Sequence, residues 1–78
     1  MHVHTYLAQA MNPREIGRTV KQTRRRLKLR QSELASVAGL SVRTLSEIEN
    51  GKETTQIGLV LQVLESLAIE VKLQTAID

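Results

Sequence analysis

Arg43, Ser46 and Glu47 stand three and four residues apart, the spacing that puts side chains on one face of an α-helix, and Val42 opens the same segment. Together they offer a bidentate donor, a hydroxyl, a carboxylate and an apolar surface. That set matches the edges of base pairs in the major groove of duplex DNA. Arg43 has the fork for guanine O6 and N7, worth about 1–3 kcal/mol of discrimination. Val42 suits a thymine methyl, and Ser46 is compatible with several bases. Glu47 either accepts from a cytosine N4 or orients Arg43 four residues earlier; the residue types leave both open. Thr44, at the inner edge of the helix, and Asn50 and Lys52, which follow it, are expected to contact phosphates, positioning the protein without reading sequence.

The elements that must hold these side chains are legible around them. Leu34, Ala35 and Ala38 share one face of a helix expected over Gln31 to Ala38. Gly39 supplies the left-handed residue that ends it, and Ser41 is an N-cap for the next helix. There Leu45 and Ile48 point inward until Asn50-Gly51 stops the chain. Two short amphipathic helices around a glycine turn form a helix-turn-helix pattern, although a plain αα-hairpin has the same period. Charge separates the two. Eight of the eleven basic residues (Arg14, Arg18, Lys21, Arg24, Arg25, Arg26, Lys28 and Arg30) precede Gln31, where Glu15 is the only acid. The first part is thus +7 and the rest −4, an asymmetry that points to a phosphate-bearing partner.

Upstream, Asn12-Pro13 with Glu15 reads as N-cap, first helical residue and capping box, which predicts a helix from Pro13 to about Leu27. Ile16, Val20, Thr23 and Leu27 are its expected inner face. Arg30 lacks an acceptor to cap the following helix. A further helix is expected from about Gln56 to Leu67, with Ile57, Val60, Leu61, Leu64, Leu67 and Ala68 toward the core. Leu59 and Val63 form a second apolar patch that a small monomer would not cover, which suggests a dimer interface. After Leu67 the period changes to two. Ile69, Val71 and Leu73 alternate with polar residues, as in a half-buried strand that must find a pairing partner, the alternative being a frayed tail.

Gln31-Ser-Glu-Leu-Ala, Gly39, Ser41 and Ile48-Glu-Asn-Gly resemble the phage Cro/C1 repressor family of helix-turn-helix domains. Asn12-Pro13, Glu53-Thr-Thr and the tail Glu65-Ser-Leu-Ala-Ile-Glu-Val-Lys-Leu extend the likeness to the HipB-like antitoxins, leaving the first eleven residues outside it. The resemblance implies an all-α, four- to five-helix, lambda-repressor-like domain whose C-terminal strand pairs across a homodimer. It implies a structural ion pair between Arg24 and Glu49, and a phosphate contact by Gln31, where free N–H groups and the helix dipole favour an anion. It also implies a HipA-like kinase toxin as partner. A stand-alone phage- or plasmid-type repressor is the alternative, since both need the same DNA surface.

The chain is expected to divide into an arm (residues 1–11), a DNA-binding domain (12–68) and a dimerisation tail (69–78). Seventy-eight residues allow one domain with a small core, which dimerisation would support. Without cysteine there is no disulfide, thiol catalysis or thiolate metal site. His2 and His4 share a strand face but have no third ligand, so neither metal nor cofactor is expected. No nucleophile, acid–base pair or phosphate-cradling loop appears, which argues against an enzyme. With no Phe or Trp and only Tyr6, stacking platforms for single strands are missing, and duplex DNA is favoured. Neither a membrane-length apolar run nor a signal peptide is seen, which predicts a cytoplasmic protein. Symmetry then predicts an inverted-repeat operator, read by two helices about one turn of DNA apart.

Overall fold

Each helix among the described residues starts on an extended residue and ends on a tight left-handed closure, and those signals set the architecture. The computed structural model describes residues 12–73 and 75. Over these the order is α1 (Pro13–Arg26), α2 (Gln31–Ala38), α3 (Val42–Glu49) and α4 (Ile57–Ser66), with no strand among the described residues. Asn12 caps α1 by accepting from the Glu15 backbone N–H at 2.8 Å. Ser41 caps α3 by accepting from the Thr44 N–H at 3.0 Å. A guanidinium accepts no hydrogen bond, so at α2 only half a capping box forms: the Glu33 carboxylate accepts from the Arg30 backbone N–H at 2.8 Å.

All four helices end the same way. Lys28, Gly39, Gly51 and Ala68 follow them in the left-handed region, with φ of 59°, 76°, 79° and 58°. The next residue then reaches back to a carbonyl of the last turn: Leu29 to Arg24 at 3.1 Å, Leu40 to Ala35 at 2.8 Å, Lys52 to Glu47 at 3.0 Å and Ile69 to Leu64 at 2.8 Å. Leu29, Leu40 and Ile69 are partly buried against the core, so three of the closures also seal it.

The core is aliphatic. Val20, Leu34, Ala35, Ala38, Leu45, Ile48, Val63, Leu64 and Leu67 are buried, with Ile16 and Val60 packed at its edge. α1 lies against α3, and α2 against both α3 and α4. The buried stripe of α1 is Gly17, Val20 and Arg24. Leu27, expected inside, is exposed, and Thr23 is half-buried, because the chain leaves the helix at Arg26 and turns through Lys28.

α4 corrects the sequence reading more substantially. Val63, placed there in the dimer patch, is 0% exposed and belongs to the chain's own core, whereas Ile57 and Leu61, placed in the core, are 73% and 46% exposed. The helix is apolar nearly all round from Ile57 to Leu64, so its periodicity gave little rotational phase. The inward set is the half-buried Val60 with the buried Val63, Leu64 and Leu67, spaced by three, one and three residues, with Gln62 tied to the Ala38 carbonyl at 2.9 Å beside it. Leu59 is half-buried, and Gly58 faces open space, making no close approach. The arm of residues 1–11, with His2 and His4, lies outside the described residues.

Gly17 is a requirement that the pattern did not announce. A Cβ there would overlap the carbonyl oxygen of Ile48 and stand 2.8 Å from that of Glu49, both backbone atoms at the end of α3. Gly17→Ala gains helix propensity, yet α1 must move away from α3 to admit the methyl. We expect a net loss of about 1–3 kcal/mol in unfolding free energy by urea titration. Unchanged stability would show that this backbone approach is not a constraint.

Candidate nucleic-acid interface

The recognition candidate, α3, is held from its inner side. Leu45 and Ile48 sink into the core, and Glu49 follows them into a buried ionic site. The Arg24 guanidinium from α1 meets the Glu49 carboxylate in a fork: Nε donates to Oε2 at 2.6 Å and Nη2 to Oε1 at 3.1 Å. Its Nη1 donates to the Leu29 carbonyl at 2.8 Å, in the turn between α1 and α2. Gln31 Nε2, at the start of α2, donates to Glu49 Oε1 at 3.0 Å. One carboxylate therefore gathers α1, the α1–α2 turn, the start of α2 and the end of α3. Burying an ion pair is favourable only when its hydrogen bonds are well supplied, as here.

The outer side of α3 is open. Val42 and Arg43 are exposed, Arg43 with 89% of its side chain accessible, and Ser46 is half-buried. Arg43, Ser46 and Glu47 thus lie away from the Leu45 and Ile48 stripe that anchors the helix, with Val42 exposed at its first turn. At the N-terminus of α3, Ser41 Oγ takes the Thr44 N–H and donates its own proton to Thr44 Oγ1 at 2.9 Å. The Thr44 hydroxyl proton is left to donate outward. Asn50 and Lys52 are exposed on the turn that ends the helix. Gln31 is half-buried, its side-chain amide already committed in part to Glu49.

Glu47 is drawn into a second ionic cluster. Its Oε2 accepts from Lys52 Nζ at 3.2 Å and stands 3.6 Å from Arg43 Nε, with side-chain exposures of 30% for Glu47 and 49% for Lys52. The i, i+4 pair with Arg43 is legible in the spacing. The Lys52 contact is not, because it comes from the helix closure: the residue after the left-handed glycine folds back over the residue five positions earlier. Sequence reasoning also missed Gln62 as the donor that fastens α4 to the end of α2. Most α1 cations are exposed, and Arg18 pairs with Glu15 at 3.4 Å.

A short helix pinned by its inner face, preceded by a helix, a left-handed glycine and a serine cap, with polar side chains turned outward, is a helix-turn-helix. Residues 15–71 match the family model described as a helix-turn-helix domain, and the chain belongs to that family, a class of DNA-binding domains rather than of enzymes. It is also similar to a Sinorhizobium fredii (strain NBRC 101917 / NGR234) protein named as an uncharacterized HTH-type transcriptional regulator, y4mF. The two are 48% identical over 59 residues, which span 76% of this chain and 78% of the relative. Among the described residues, no helix is long and apolar enough to cross a membrane, and no group of three or more metal-ligating side chains gathers.

The buried pair gives a stability prediction. Removing one partner leaves the other charge without a counterpart, so Glu49→Ala should lose about 3–5 kcal/mol in denaturant titrations. Replacing both, as in Arg24→Met with Glu49→Leu, should recover much of that loss. A single variant as stable as the parent would refute the anchoring role.

Proposed function

We propose that this protein is a transcriptional repressor that binds duplex DNA sequence-specifically as a homodimer on an inverted-repeat operator. The observation that carries the reading is the division of α3 into a buried anchoring side and an open face bearing Val42, Arg43, Ser46 and Glu47. In this reading Arg43 is the principal base reader and Val42 packs on a methyl group. Gln31, Thr44, Asn50 and Lys52 hold phosphates: Gln31 through the part of its amide that Glu49 leaves free, Thr44 through its hydroxyl proton. The relative's name as a transcriptional regulator agrees with this assignment.

Dimerisation is proposed through α4 and the tail. Ile57, Leu61, Val71 and Leu73 are exposed aliphatic side chains on a small chain, and Leu59 lies half-buried beside them in sequence. Val71 and Leu73 would be covered when residues 69–73 pair as a strand with the second copy; Ile69 already spends part of its surface on its own core. Val63 has no surface to contribute. The further proposal, an antitoxin that represses its own operon and binds a HipA-like kinase toxin, is supported by the resemblance of the tail and the Glu53-Thr-Thr segment to HipB-like antitoxins. A stand-alone repressor is the competing outcome. Co-expression of the tagged chain with its neighbouring reading frames separates them: a stoichiometric kinase-like partner supports the antitoxin, and recovery of the homodimer alone supports the plain repressor.

Three further outcomes are expected. Arg43→Ala should relax preference at one base pair per half-site by about 1–3 kcal/mol, whereas Lys52→Ala should weaken operator binding without changing base preference and reduce the salt slope by about 1 per contact. Binding-site selection and salt titration read these two effects, and an unchanged base preference removes Arg43 from the reading set. Deleting residues 70–78, which keeps Ile69 and the closure of α4, should give monomers in sedimentation; a persistent dimer would move the interface elsewhere.

A further inference from the structure

Lys52 sits where it does because α3 ends in a left-handed closure. The Lys52 N–H bonds the Glu47 carbonyl at 3.0 Å, which lays residue 52 back over residue 47, and its ammonium then meets the Glu47 carboxylate at 3.2 Å. The same carboxylate oxygen faces Arg43 Nε at 3.6 Å. One anion is thus shared by the two cations of α3 and its closing turn, at the surface assigned above to DNA.

We propose that Glu47 is a specificity-determining residue that acts by withholding Arg43 and Lys52 from the phosphates of non-cognate duplex, rather than by reading a base. The inference rests on the assignment of α3 as the recognition helix. Sequence-independent affinity comes from cations that displace counterions from phosphates. Here the cluster presents a net charge of +1 where its two cations alone would present +2. Its carboxylate is moreover repelled by the backbone that both cations seek. On a non-cognate duplex nothing offsets this. On the operator, Arg43 exchanges the carboxylate for base-edge acceptors that return a bidentate contact, and Lys52 takes its phosphate once the helix is seated. Glu47 therefore lowers non-specific affinity more than operator affinity. The ratio between the two, which decides occupancy among many competing sites, rises.

The test is the isosteric variant Glu47→Gln, titrated across salt onto two probes. One is a random-sequence duplex of roughly 30 base pairs, long enough for two half-sites. The other is the duplex enriched from a random pool by the unsubstituted protein. Glu47→Gln is expected to tighten binding to the random duplex by about two- to fivefold per recognition helix, the range for an exposed ion pair. Its salt slope on that probe should steepen by up to about 1 per helix. Operator affinity should change less, so discrimination falls. Lys52→Ala should then weaken random-duplex binding more in the Glu47→Gln background than alone, because the carboxylate no longer holds the ammonium back. If Glu47→Gln weakens the operator and leaves random-duplex binding unchanged, Glu47 is a direct base reader and the proposal is overturned, with the DNA-reading surface intact. If the unsubstituted protein enriches no duplex from the pool and does not bind the random one, the surface assignment fails and this inference with it.

Discussion

The Glu49 carboxylate is the constraint on which the arrangement of helices depends. It accepts from two nitrogens of Arg24 and from Gln31, while Arg24 also donates to the Leu29 carbonyl. Hydrophobic burial alone would hold these helices together but would allow them to slide, because a small core of Leu, Val, Ile and Ala has few features that fix a register. A buried carboxylate is less forgiving. Rotating or sliding α3 would strand a charge, so the end of α3 is fixed against α1 and against the start of α2. Gly17 completes the constraint by letting the α1 backbone approach the last carbonyls of α3. The outer face of α3 is consequently oriented by contacts on the opposite side of its own helix.

A second regularity is the common ending of the helices. Four left-handed closures in one small domain keep the connections short, and in three the residue after the closure is Leu29, Leu40 or Ile69, each folded against the core. Lys28 and Ala68 adopt this conformation without being glycine, at about 1–2 kcal/mol apiece, and the hydrogen bonds and burial at Leu29 and Ile69 offset that cost. In the fourth closure the corresponding residue is Lys52, exposed and charged. The motif that elsewhere seals the core here delivers an ammonium to the α3 surface.

These closures and caps explain which parts of the fold were legible in the sequence. Asn12-Pro13, Gly39-Leu40-Ser41 and Asn50-Gly51 carry their own conformational preferences, so the start of α1, the end of α2 and both bounds of α3 can be read locally. The Arg24–Glu49 distance of 25 residues is not a local signal, and the pair was expected from family likeness. The phase of α4 was misread because apolar residues surround much of the helix and give it no clear inner side. Which side is buried is decided by α2, through the core and the Gln62 bond to Ala38. Leu27 was misassigned for the opposite reason: its period fits α1, but the helix ends at Arg26. The outward residues of α3 were readable as a face, while the position of Lys52 over Glu47 required knowing how the helix closes.

The same geometry separates fold from specificity. Leu45, Ile48 and Glu49 answer to the core and to the ionic site, so substitutions there are felt as stability. Val42 and Arg43 are exposed and Ser46 is half-buried outside the core, so in the proposed reading their identities are free to follow a DNA sequence. Glu47 stands between these groups: half-buried and outside the core, yet bonded to the turn that closes the helix. A carboxylate at that place costs attraction toward every duplex, and its presence follows physically if discrimination, not affinity, is what the surface must supply. Ahead of α2 the chain carries seven cations besides the buried Arg24, a basic surface that would attract any phosphate backbone. In the proposed reading, the anion held beside Arg43 and Lys52 is what lets the surface leave the wrong site.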